Sequence, residues 1–237
     1  MNTVLFDLDG TLLPINQDDF LNGYMREIAK KFAQEGVAPQ KFVKAIGKGT
    51  AAMLENDGTV TNEKRFWEVF TLEIGPEILA LEPKFEEFYL NEFNNIAHAA
   101  RPNPLTAEYI RILKEKGYRL VAATNPLFPR VATLQRIQWA QLDPADFFLI
   151  TTYENSSFCK PNLNYYREIL AKVERDGTDC LMVGNDVDED MCAAELGMET
   201  FLLTDHMLDS GKRDWRSIRN GTYEGLLDYI AALPAAN

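Results

Sequence analysis

Two aspartates stand one residue apart at the end of an apolar run near the start of the chain, in Val4-Leu5-Phe6-Asp7-Leu8-Asp9-Gly10-Thr11. Side chains alternate along a strand, so Asp7 and Asp9 would share one side if the strand ran straight. Gly10 then lets the chain turn sharply and brings backbone N–H groups close to a ligand. Carboxylates so placed can act as a nucleophile, carry a proton or hold a hard cation. Later clusters fall in similar places. Thr124-Asn125 follows Leu120-Val121-Ala122-Ala123, and Lys160-Pro161 comes after the run Phe147–Thr151. Asn185-Asp186-Val187-Asp188-Glu189-Asp190 follows Leu181-Met182-Val183-Gly184. Each alone has an ordinary explanation: a solvated acidic turn, a helix-capping threonine, a surface lysine, or acids at a helix start. Jointly they put a hydroxyl, an ammonium and several carboxylates near one edge of one sheet.

The elements that must position them are legible as short apolar, β-branched runs. Strands are expected at Thr3–Leu8, Arg119–Thr124, Phe147–Thr151, Asp179–Gly184 and Glu199–Thr204. Helical patterns lie between the later ones, at Leu105–Lys116 before Gly117, at Asn162–Val173, and at Glu189–Leu196 before Gly197. Such alternation implies βαβ units and a mostly parallel sheet, which binds ligands at the C-terminal ends of its strands.

Residues 15–100 read differently, as helix without a convincing strand. Phe20, Tyr24, Ile28 and Phe32 recur every four residues, and Glu77–His98 carries Phe85, Phe88, Tyr89 and Phe93 with Pro83 as a break or a helix start. Pro14 and Arg101-Pro102-Asn103-Pro104 bound the block as stiff hinges. The expected architecture is a Rossmann-like α/β core, residues 1–14 and 101–237, interrupted after its first strand by a helical domain, residues 15–100. Within that domain Ala45-Ile46-Gly47-Lys48-Gly49-Thr50 is the most loop-like basic piece and is expected to face the active site. It lacks the spacing of a P-loop. Asp205 to Arg219 reads as a loop leading to a last helix at Tyr223–Ala232.

The chain has 237 residues and a formal net charge of −12. That acidity excludes nucleic acid and anionic membrane surfaces as natural partners. It does not exclude a small anionic substrate, because a bound cation reverses the local field. No apolar run approaches the roughly 20 residues that span a bilayer. The first residues lack the basic-then-apolar pattern of a signal peptide, so a cytoplasmic protein, monomer or homodimer, is expected. Cys159, Cys180 and Cys192 are odd in number and form no CxxC pair, which argues for reduced thiols. His98 and His206 are too few for a histidine-built metal site.

Taken in order, Phe6-Asp7-Leu8-Asp9-Gly10-Thr11-Leu12, Thr124-Asn125, Lys160-Pro161 and Gly184-Asn185-Asp186 with Asp190 resemble the four motifs of the haloacid dehalogenase-like hydrolase superfamily. The insertion resembles that family's helical C1 cap. Asn185 departs from members that place the aspartate directly after the glycine. The resemblance implies a hydrolase of small phosphorylated metabolites. Asp7 would be the nucleophile that becomes an aspartyl-phosphate, and Asp9 the general acid and then base. Lys160, Thr124, Asn125 and the turn at Gly10 would contact the phosphoryl group. Mg2+ would be held by the Asp7 carboxylate, the Asp9 backbone carbonyl and Asp186. Asp190 would orient Lys160 or a metal-bound water. Asp188 and Glu189 read as a solvated helix start. Asp9 favours phosphate esters over haloacids. The alternatives are a phosphotransferase of the sugar-phosphate mutase kind and a non-catalytic binding protein that keeps the fold.

Overall fold

The computed structural model describes residues 1–236. Six strands form one sheet in the order β3-β2-β1-β4-β5-β6, and every pairing is parallel. They are β1 Thr3–Phe6, β2 Arg119–Ala122, β3 Leu149–Ile150, β4 Cys180–Gly184, β5 Glu199–Leu203 and β6 Asn220–Gly221. The central strand β1 is buried along its whole length. Its alternation divides the core in two. Val4 and Phe6 pack with α5 (Pro104–Glu115), α6 (Arg130–Trp139) and α8 (Tyr223–Ala232), whereas Leu5 packs on the opposite face with α7 (Leu163–Val173). Phe6 lies opposite Ala122 on one side and Val183 on the other, so the residues after three strands emerge at one edge.

Between residues 17 and 99 the regular elements are all helical: α1 Gln17–Gln34, α2 Pro39–Leu54, α3 Asn62–Ile74 and α4 Glu82–Leu90, with short 3-10 segments at Pro76–Leu81 and Glu92–Ala99. Asn16 caps α1 by accepting from the Asp19 N–H, and Thr61 caps α3 by accepting from that of Lys64. The stripe Phe20, Tyr24, Ile28 and Phe32 is buried as expected. Phe32 stacks on Phe42 at 4.6 Å and meets Phe85 at 4.1 Å, so aromatic packing holds the helices together. The block joins the sheet through a closed pair of strands of chain. The Asn16 N–H donates to the Ala99 carbonyl (3.0 Å), and the Arg101 N–H to that of Pro14 (2.7 Å).

Several expectations change. The first two strands end two residues early, at Phe6 and Ala122, because the following residues turn away from the sheet. Glu77–His98 is not one helix. Asn91 separates α4 from the segment after it, and Pro83 sits in the first turn of α4, the place where a missing N–H costs least. Ala45–Thr50 is no loop but the middle of α2, whose buried Phe42, Ala45, Ile46, Gly49 and Met53 follow helical spacing. Gly49 serves contact there: a Cβ would come within 2.6 Å of the Phe66 ring. Lys48 pairs with Glu73 instead of facing a site. Glu189–Leu196 shrinks to a 3-10 turn at Met191–Leu196. Helix α6 was not foreseen, because a buried arginine, Arg136, interrupts its apolar face. The last helix lies at Tyr223–Ala232 as read. Among the described residues no helix is long and apolar enough to cross a membrane.

Lys31 is nearly buried and donates to Glu87 (2.7 Å) and Glu92 (2.9 Å), which ties α1 to α4 and to the segment after it. Lys31 first, then Lys84, hold the Glu87 carboxyl down at about 2. A depressed carboxyl contributes stability above its unfolded pKa and loses it as pH falls through the folded value. The wild type is therefore expected to exceed Glu87→Gln in melting temperature at pH 6, with the gap closing between about pH 4.5 and 2. Melting curves at stepped pH check this; a gap that persists unchanged at pH 2 would refute it.

Candidate active site

The site grows from the ends of β1, β2 and β4. Beyond β1, Asp7 hangs on the sheet through its N–H to the Val183 carbonyl (2.9 Å). The chain then folds into a tight turn in which the Leu8 carbonyl accepts from the N–H groups of Thr11 and Leu13. Gly10 has φ +87°, and a Cβ there would lie 2.4 Å from the Asn185 amide nitrogen, so both conformation and contact require glycine. Its N–H donates to the Leu13 carbonyl and is thus committed to the turn, not offered to a ligand. Thr11 closes the arrangement by donating toward Asp7 Oδ2 (3.4 Å) or Asn185 Oδ1 (3.1 Å).

Lys160 lies at the centre, with its side chain 1% exposed. Its ammonium donates to Asp7 Oδ1 at 2.8 Å and to Asp190 Oδ1 at 2.6 Å. Burial works against the charge, but Asp190 and Asp7 outweigh it and hold the ammonium pKa well above its ordinary value. The other oxygen of Asp190 accepts from the Asp186 N–H (3.0 Å). Asp190 also explains Gly184, because a Cβ at that position would meet Asp190 Oδ2 at 2.1 Å. Asp186 accepts from the N–H groups of Asp188 and Glu189 through one oxygen (2.8 Å each).

These groups surround a cavity of about 130 Å³ lined by Asp7, Asp9, Thr124, Asn125, Asp186, Glu189 and Asp190, with Gln17, Leu127, Phe128, Arg136, Asn185 and Leu208. Of the residues singled out in sequence, Asp7, Asp9, Thr124, Asn125, Asp186 and Asp190 meet there, and Lys160 stands behind Asp7. Thr124 is buried, and its carbonyl accepts from Thr151 and Tyr165 hydroxyls at 2.7 and 2.9 Å. Asn125 is tied on both sides, donating to Glu189 Oε2 (3.1 Å) and accepting from the Lys160 N–H (3.3 Å).

Glu189 is not the solvated acid that the sequence suggested. It lines the cavity, and burial first of all pushes its carboxyl up to about 7. Asp188 does face outward, where the Ser210 hydroxyl donates to it. Asp9 is raised above the usual carboxylate range by burial, while Arg136 beside it pulls the other way and Asp7 pushes up again. Its Oδ2 accepts from the Arg136 guanidinium, and its Oδ1 is buried with no partner. Arg136 escaped the sequence reading. Its one signal was a cation in register with Ala132, Thr133 and Ile137 on a helix face that is otherwise buried.

Among the described residues no three His, Cys, Asp or Glu side chains converge tightly enough to form a metal cage. A magnesium ion does not need one, since it binds through one or two carboxylates and keeps several waters. The donor set fits it. Five carboxylates line the cavity against one guanidinium, and no thiol or imidazole lines it.

Residues 1–197 match the family described as haloacid dehalogenase-like hydrolase, and the chain belongs to that family. Among its relatives, a ribulose-1,5-bisphosphate 5-phosphatase of Halopiger xanaduensis is 29% identical over 212 residues, which cover 84% of this chain and 83% of that one. A phosphoglycolate phosphatase of Caulobacter vibrioides is 28% identical over 205 residues, covering 85% and 78%. Family and relatives together support a phosphatase. The fold is shared with a 2-haloacid dehalogenase structure from Pseudomonas syringae pv. Tomato, at TM-score 0.61 and 16% identity over 98% of both chains.

The closeness of Asp190 to Gly184 makes a direct check. Gly184→Ala is expected to push Asp190 off Lys160 and to destabilise the protein by about 1–3 kcal/mol, the usual cost of overpacking. Denaturant unfolding measures it. A variant as stable as the wild type would contradict the packing described.

Proposed function

We propose that the protein hydrolyses phosphate monoesters of small metabolites through an aspartyl-phosphate formed on Asp7, with magnesium as its cofactor. The observation that carries this reading is the buried Lys160 ammonium shared by Asp7 and Asp190, at the edge of a cavity that also holds Asp9 and Asp186. An Asp7 carboxylate oxygen attacks phosphorus, and the ester oxygen departs with a proton from Asp9. Asp9 then takes a proton from water, which attacks the acyl phosphate, releases inorganic phosphate and restores Asp7. Lys160 holds Asp7 in line and offsets charge on the phosphoryl oxygens, with Asp190 keeping Lys160 in place. Thr124 and Asn125 would bind phosphate oxygens. The Asp7 carboxylate, the Asp9 carbonyl and Asp186 would hold the magnesium, which supplies the positive charge that lets two anions meet.

We read the helical block, residues 15–100, as a cap on a core of residues 1–14 and 101–237. Supporting this, a second cavity of about 110 Å³ lies between block and core, walled by Tyr24, Phe66, Trp67, Phe85, Phe128 and Tyr153 among others. It shares Leu127 and Phe128 with the catalytic cavity, which suits a leaving group that lies against aromatic rings.

The decisive assay is phosphate release from p-nitrophenyl phosphate. Magnesium-dependent turnover is expected, abolished by a chelator and lowered more than about a thousandfold in Asp7→Asn. Turnover that survives Asp7→Asn would remove the nucleophile. Trp67→Ala is expected to raise KM roughly tenfold for esters with an apolar leaving group while leaving acetyl phosphate nearly unaffected. Equal effects on both substrates would detach the aromatic cavity from recognition.

A further inference from the structure

We infer that Arg136 is a positioning residue for Asp9: it fixes one carboxylate oxygen so that the other faces the reacting oxygen. The inference rests on the phosphatase reading above. Arg136 has 1% of its side chain exposed, and the only carboxylate in contact with it among the described residues is Asp9. Burying a guanidinium costs several kcal/mol unless it is paired, so its place on α6 needs a reason. Its Nη1 donates to Asp9 Oδ2 and its Nη2 reaches Thr133 Oγ1 at 3.5 Å, one turn back on the same helix.

The guanidinium also lies 4.6 Å from the centre of the Phe128 ring and 6.0 Å from that of Phe20. Phe128 lines the catalytic cavity, and Phe20 comes from α1 in the helical block. A planar cation packed against two rings that themselves meet at 5.8 Å has few orientations left, which fixes the direction of its donors. Asp9 Oδ1 is thereby the oxygen with nothing to do in the resting protein, and it is buried in the cavity wall. A short aspartate beyond a turn has its own rotamer freedom, and catalytic groups need orientation within about 10–20°. Arg136 supplies that restraint from a rigid helix. A lysine could not, since its ammonium is a point charge without the planar fork.

The test is a kinetic double-mutant cycle on the full chain with magnesium, using Asp9→Asn, Arg136→Met and the pair. The substrate is p-nitrophenyl phosphate, whose leaving group needs little acid help, so the Asp9→Asn rate stays measurable. Arg136→Met is expected to lower kcat about tenfold or more with KM within about twofold, and to add nothing in the Asp9→Asn background. Arg136→Lys is expected to recover little. Losses that multiply in the double variant, or a raised KM with kcat intact, would overturn the inference and leave Arg136 an independent or substrate-binding group. If Arg136→Met does not fold, Thr133→Val keeps the cation and removes the hydroxyl that its Nη2 reaches. It is then expected to lower kcat about threefold, again only where Asp9 is present; an equal loss in the Asp9→Asn background would sink the proposal. A wild type inactive on every ester takes down the phosphatase reading itself, whereas an active wild type with multiplying losses removes only the role of Arg136.

Discussion

A buried ammonium between two carboxylates is the constraint on which the rest of the site depends. Lys160 has almost no access to water, so its charge must be met by protein, and Asp7 and Asp190 meet it from two separate strand ends. Removing one partner of such a set costs about 3–5 kcal/mol, because the remaining charge stays buried. The requirement propagates outward. Asp190 must reach inward, so residue 184 can carry no side chain. Asp190 must also be held, so the Asp186 N–H is turned toward it. Asp7 must come level with Asp190, which the parallel pairing of Phe6 with Val183 secures.

The sheet meets that demand by topology. In a parallel sheet every strand leaves at the same edge, and side chains after neighbouring strands converge without any contact between distant loops. The central place of β1 between β2 and β4 puts Asp7 between Thr124 and Asp186. The helical block enters between the turn after β1 and the start of α5. Its two ends are zipped together by Asn16 with Ala99 and Arg101 with Pro14. Aromatic packing across that junction, Tyr24 on Phe128 at 5.3 Å, couples the block to the loop after β2 that also lines the cavity.

Much of this was written locally in the chain. Apolar runs followed by Asp7, Thr124, Lys160 or Asp186 marked strand ends, and a buried parallel strand needs that continuous apolarity. The stripe from Phe20 to Phe32 marked a helix for the same kind of reason. What could not be read was whatever depends on a contact from far away. Gly49 looked like flexibility until Phe66 was seen against it. Gly10 looked like an anion cradle, yet its N–H closes its own turn. Glu189 looked solvated because its helix start is acidic, but Asn125, sixty-four residues earlier in sequence, draws it into the cavity. Arg136 drew no reading at all, because its partner lies 127 positions away.

The charge distribution ties these misreadings together. Five carboxylates line a cavity of about 130 Å³, and the burial that raises Asp9 and Glu189 is a cost that a stable core would avoid. Local consistency fails at this edge, as expected where stability gives way to function. Lys160 and Arg136 relieve the strain unequally. The lysine serves Asp7 and Asp190 from behind, and the arginine serves Asp9 from the side. Asp186 is left without a cation of its own. A site in which the protein's own cations are both engaged and anionic oxygens remain is one that favours a divalent ion, and with it a phosphate that the acidic chain would otherwise repel.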